Sequence, residues 1–137
     1  MLNIVLHVLL GYLQQIMNVH PVRNIREKYK RRGNPMNSSI IHSVIFTLKH
    51  DKESTAAKQF LADGQALLSS IPTVNNFQVF QQVSAKNNFQ YGFSMEFESQ
   101  AAYEAYNDHP IHSAFVKERW EIEVVDFLEI DYKTHQQ

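Results

Sequence analysis

At 137 residues, 44% hydrophobic and 20% charged, the chain can bury the core of one domain but is too short for two of ordinary size. It has no cysteine, which excludes disulfide frameworks, thiolate zinc sites and cysteine nucleophiles. The formal net charge of −1 hides an asymmetry: residues 23–32 hold six of the thirteen basic residues against one acid, Glu27. The remainder carries seven bases against thirteen acids, a net of −6 that argues against nucleic-acid binding.

Residues 2–17 are largely apolar, from Leu2 and Ile4 to Ile16 and Met17, and are interrupted by Asn3, His7 and Gln14-Gln15. No positive charge precedes this run and the basic stretch follows it, the reverse of a secretory signal. It is also too short and too polar for a span of about 20 apolar residues. A membrane-surface anchor is one reading. The simpler one takes Gly33-Asn34-Pro35 as a break, residues 1–35 as an extension outside the folded domain, and Met36 as the start of a domain over residues 36–137. Stable membrane association is not expected, and the domain is expected in the cytoplasm.

Ile40 to Leu48 is rich in β-branched and aromatic residues and predicts a central strand, apolar on both faces. Ser54 is a plausible N-cap for a helix carrying Ala57, Phe60, Leu61, Gly64, Leu67, Leu68 and Ile71 on one face, stopped by Pro72. Gly64 on that face reads either as close backbone packing on the sheet or as room for a ligand. Phe77 to Val83 alternates as a second strand, and Ala85 to Asn88 turns the chain. A third strand follows, with Tyr91, Phe93, Met95 and Phe97 on one face. Ser99 caps a short helix through Tyr106, and His109-Pro110 opens another bearing Phe115, Val116 and Trp120. Val124 to Tyr132 closes the sheet, and Trp120 and Phe127 read as core.

The order β-α-β-β-α-α-β predicts a ferredoxin-like α+β sandwich. Helices on one face of a four-stranded sheet leave the other open. Val44, Phe46, Phe93, Met95 and Phe97 are expected on that open face, covered by the sheet of a second copy.

The segments "IIHSVIFTLK", "YGFSMEFES", "YNDHPIHSAFV" and "DFLEIDY" resemble the stress-responsive A/B barrel (Dabb) family over residues 40–132. The resemblance implies a homodimeric α/β barrel with no cofactor, within a family that includes plant stress proteins and a plant polyketide cyclase. Carried over from the cyclase pattern, the catalytic tyrosine falls on Tyr106, the catalytic histidine on His112 and a cavity histidine on His42. Phe60, Phe93, Met95 and Phe115 fall on cavity-lining positions, with Val44 and Phe46 beside them. Gly64 replaces an aromatic residue, so pocket shape is expected to differ.

Two functions follow as expectations: binding of a small apolar molecule in the cavity, or a cofactor-free enzyme, either a polyketide cyclase-like lyase that abstracts a proton next to a carbonyl or a monooxygenase. In the second, His112 acts as base and Tyr106 as hydrogen-bond donor. A helix start and partial burial both favour neutral imidazole at His112. The plainer alternatives are His109 as a helix cap, His42 as a satisfied core histidine, and a direct Tyr106–His112 hydrogen bond. His42, His109 and His112 match no strong metal-ligand spacing. His7, His20, His50 and His135 carry no signal.

Overall fold

In the computed structural model, which describes residues 39–135, strand β1 spans Ile40–Leu48 and occupies the interior of a four-stranded antiparallel sheet. Helix α1 (Thr55–Ser69) follows, then β2 (Asn75–Gln81), β3 (Tyr91–Phe97), α2 (Gln100–Asn107) and α3 (Pro110–Phe115). A π-helical turn, Val116–Trp120, leads through the single turn α4 (Glu121–Glu123) into β4 (Val124–Tyr132). The strand order is β2-β3-β1-β4, with β1 paired to β3 and β4. This is the ferredoxin-like arrangement that the element order predicts. The expected extension, residues 1–35, lies outside the described residues.

The helix starts are local chemistry. Ser54 Oγ accepts the Ala57 N–H at 3.2 Å, and Ser99 Oγ accepts the Ala102 N–H at 3.1 Å. His109 caps α3 by accepting the Ile111 N–H on Nδ1 at 3.2 Å, with Pro110 at the first helical position.

Side-chain alternation then sorts the sheet into two faces, and here the expectation is reversed. Val44, Phe46, Phe93, Met95 and Phe97 are all 5% exposed or less, because they face the helices rather than a second sheet. Phe46 lies 5.8 Å from Phe60 and 5.0 Å from Trp120, ring to ring, and Phe93 lies 5.2 Å from Phe77. The physical reason is area. Helix α1 presents Ala57, Phe60, Leu67 and Leu68, and the phenylalanine-rich face buries the most apolar surface against them. The open face instead carries Ile41, Ser43, Ile45 and Thr47 of β1, Gly92 and Ser94 of β3, Phe80 of β2, and Leu128 and Tyr132 of β4. Among these, Ile41, Phe80, Leu128 and Tyr132 are exposed large apolar residues. Phe127 is also not core: it is half-exposed, with its ring edge-on to Trp120 at 5.6 Å.

Gly64 is explained by packing. A Cβ there would stand 2.7 Å from Phe93 Cζ and 3.2 Å from Phe115 Cζ, so the space over this glycine is already filled by two rings.

The π turn has a structural consequence. Within it Arg119 is buried and the Trp120 ring packs on Phe46. Arg119 meets Asp63 of α1 at 2.5 Å through Nη1 and Glu123 of α4 at 2.5 Å through Nε. Glu123 in turn accepts from His50 Nε2 at 2.7 Å, so His50 belongs to a polar network that its local sequence does not announce.

Candidate functional site at the α2–α3 junction

Three of the residues singled out in the sequence converge here, and two others join them. His42, on β1, is 4% exposed and lies on the helix-facing side of the sheet. Its Nδ1 is 2.6 Å from Asp131 Oδ1 on β4, the residue directly opposite it in the β1–β4 register. Tyr103, half-buried on α2, donates its hydroxyl hydrogen to Asp131 Oδ2 at 3.1 Å, and its oxygen lies 3.0 Å from His42 Nδ1. A carboxylate only accepts, so the Asp131 contact places the His42 proton on Nδ1 and leaves Nε2 as an acceptor.

Tyr106 and His112 stand across the break between α2 and α3 with ring centroids 4.4 Å apart. They do not hydrogen-bond each other. His112 Nδ1 faces the Asn107 carbonyl oxygen at 3.1 Å, and a carbonyl can only accept, so this nitrogen carries the proton. Nε2 is then the basic atom. Tyr106 is 3% exposed, in ring contact with Phe97 at 5.1 Å and with Tyr103 at 6.3 Å. No hydrogen bond engages its hydroxyl among the described residues, whose one fully buried polar side-chain atom without a partner is Thr73 Oγ1, so the Tyr106 oxygen is not sealed in the core.

The electrostatics favour neutral groups. Burial, the largest influence, pushes His112 below the ordinary histidine value, and nearby His42 pushes the same way. The Asn107 hydrogen bond and Glu129 oppose them. Burial therefore accounts for the neutral imidazole better than the dipole of a six-residue helix. His109 is lowered too, first by burial and then by His112. Tyr103 is pushed up to about 12, chiefly by burial and then by Asp131, and burial raises Tyr106 further. Both phenols stay protonated at neutral pH and can only donate or accept hydrogen bonds.

The apolar residues assigned to the cavity divide in two. Met95 and Val44 flank His42 on the helix-facing side, Met95 as its cross-strand partner and Val44 two residues along β1. Phe46, Phe60, Gly64, Phe93 and Phe115 belong to the aromatic cluster beneath α1. Asp131 and Tyr103 were not singled out by sequence reasoning. The "EIDY" ending contained a signal for Asp131, an acidic residue in register with a buried histidine, and Tyr103 lies one helical turn before Tyr106. Among the described residues no cluster of three or more His, Asp or Glu could hold a metal ion, and no helix is long and apolar enough to cross a membrane.

The fold has counterparts among known proteins. The stress responsive A/B barrel domain matches residues 40–134. A Dabb family protein with a ferredoxin-like fold from Mesorhizobium loti is 50% identical, with a TM-score of 0.72 over 72% of this chain and 99% of its own. A dimeric ferredoxin-like protein from Bacteroides fragilis is similar at 21% identity and a TM-score of 0.52, covering 70% of this chain and 96% of its own. A hydroxynitrile lyase from Passiflora edulis shares the fold at 16% identity and a TM-score of 0.65, covering 74% of this chain and 97% of its own. Among curated proteins, none matches the chain. With the domain match covering well over half of its length, the chain belongs to the stress-responsive A/B barrel (Dabb) family.

Proposed function

We propose that this protein is a homodimer that binds a small, largely apolar molecule at the α2–α3 junction, where the Tyr106 hydroxyl donates to a ligand carbonyl and His112 Nε2 accepts from a ligand hydroxyl or N–H. The observation that carries this reading is the pair of unspent groups there. The Tyr106 hydroxyl makes no hydrogen bond among the described residues without being sealed in the core, and His112, its ring 4.4 Å away centroid to centroid, offers Nε2 as an acceptor. A donor that water can reach exchanges its bond to water for one to a ligand acceptor, a net gain of about 0.5–1.5 kcal/mol. His42, Val44 and Met95 supply the adjoining wall. The open sheet face, with Ile41, Phe80, Leu128 and Tyr132 exposed, supports pairing with a second copy.

The same pair favours a second reading, a cofactor-free enzyme. A neutral imidazole with a basic Nε2 can abstract a proton next to a carbonyl, while the Tyr106 hydroxyl donates to the developing enolate.

Native mass spectrometry of the full chain purified from its host tests both readings. The expected result is a dimer retaining a small molecule that is lost from Tyr106→Phe and His112→Ala. A ligand-free wild-type dimer, or equal retention by all three proteins, would overturn the binding site. Turnover of a β-polyketide-like compound, abolished in His112→Ala, would select the enzymatic reading.

A further inference from the structure

The strands β1 and β3 are mostly buried on their helix-facing side, whereas β4 is largely exposed. The register places Glu129 opposite Val44 and Asp131 opposite His42. Cross-strand partners share a face, so both carboxylates lie on the side of the sheet that carries His42. Their situations differ. Asp131 is engaged by His42 and Tyr103, whereas among the described residues no hydrogen bond or ion pair engages Glu129. Its charge favours the protonated form of Tyr103, Tyr106 and His112 alike, although burial keeps His112 below its ordinary value.

From this placement we infer that Glu129 is a specificity determinant of the site, admitting neutral and cationic carbonyl compounds and rejecting carboxylates. This rests on the reading of Tyr106 and His112 as a ligand site and says which ligands that site takes. A ligand whose carbonyl accepts from the Tyr106 hydroxyl, with its ring against the His112 imidazole, extends its other end toward β4. There a carboxylate meets the like charge of Glu129, and an ammonium group gains an ion pair. The neutral compound meets neither effect.

Three probes of one shape separate these cases: 4-methylacetophenone, 4-(aminomethyl)acetophenone and 4-acetylbenzoate. Each is titrated into the full-length protein at low salt while the His112 imidazole resonances are followed by NMR. The expected order is amine, then neutral ketone, then carboxylate, with amine and carboxylate differing by about tenfold in affinity. In Glu129→Gln that ratio should fall several-fold with neutral-ketone affinity unchanged, and salt should reduce it in the wild type. Equal binding of amine and carboxylate, or a ratio indifferent to Glu129→Gln, would overturn the specificity inference and leave the binding site standing. Failure of all three probes to shift His112 would overturn the binding site itself.

Discussion

Replacing Arg119 with Met should cost about 3–5 kcal/mol of folding stability, the usual penalty for removing one partner of a buried charge network. Arg119 is 9% exposed and ties Asp63 to Glu123, so its loss strands two carboxylates against the Phe60 ring, which the guanidinium covers at 5.6 Å. For a small domain this is a large fraction of the total. The penalty should also depend on pH in a defined direction. Burial, the largest influence on Glu123, pushes its carboxyl up, but hydrogen bonds from Arg119 and His50 outweigh this and hold it below the ordinary value of 4.5. A depressed carboxyl gives stability that is present above the unfolded value and lost as pH falls through the folded one. In Arg119→Met the carboxyl keeps its burial and loses its main partner, so protonation relieves the strain. Urea unfolding of both proteins at pH 7 and near pH 4.5 should therefore show the gap narrowing on acidification. A constant gap would mean that Glu123 is not the group left unpaired.

The two faces of the sheet make a second large prediction. Phe93→Asp should abolish folding, because Phe93 is 1% exposed and a carboxylate there would be buried among Phe46, Phe60 and Phe77. Leu128→Asp should leave the monomer folded, since Leu128 is 48% exposed and touches the open face alone. If that face joins two copies, Leu128→Asp should shift the sedimentation of the protein from dimer to monomer while retaining a cooperative melt. A dimer indifferent to Leu128→Asp would place the contact elsewhere.

These residues also show what the sequence could and could not reveal. Strand parity was legible within each strand, Phe93 with Met95 and Val44 with Phe46, and the β1–β3 register then sets the two pairs on one face. Which face meets the helices was not, since parity is symmetric between the two. The distinguishing information was in the poorer face, where Ser43, Thr47 and Ser94 interrupt the apolar pattern in a way that a helix-covered layer would not favour. The caps at Ser54, Ser99 and His109 were legible because each depends on residues only two or three apart. Arg119 was not legible, since its burial depends on a π turn that shifts the helical phase, and helical periodicity assumes a constant one.

The candidate site divides along the same line. Tyr106 and His112 flank a local helix break that the Asn-Asp-His-Pro segment makes visible, so their proximity could be anticipated. The His42–Asp131 contact joins residues 89 positions apart and exists only through the β1–β4 register. Tyr103 completes that contact from a helix, and no local pattern ties it to either strand.

The account's central claim is that His112 presents a neutral, basic Nε2 beside the Tyr106 hydroxyl. Side-chain nitrogen NMR of the uniformly labelled protein, followed through a pH titration, observes this atom directly. Hydrogen bonding to the Asn107 carbonyl predicts a proton on Nδ1 at pH 7, and burial predicts a titration midpoint below 6.5. A proton resident on Nε2 at pH 7, or a midpoint above that value, would contradict the account, because the site would then lack the acceptor on which both proposed readings depend.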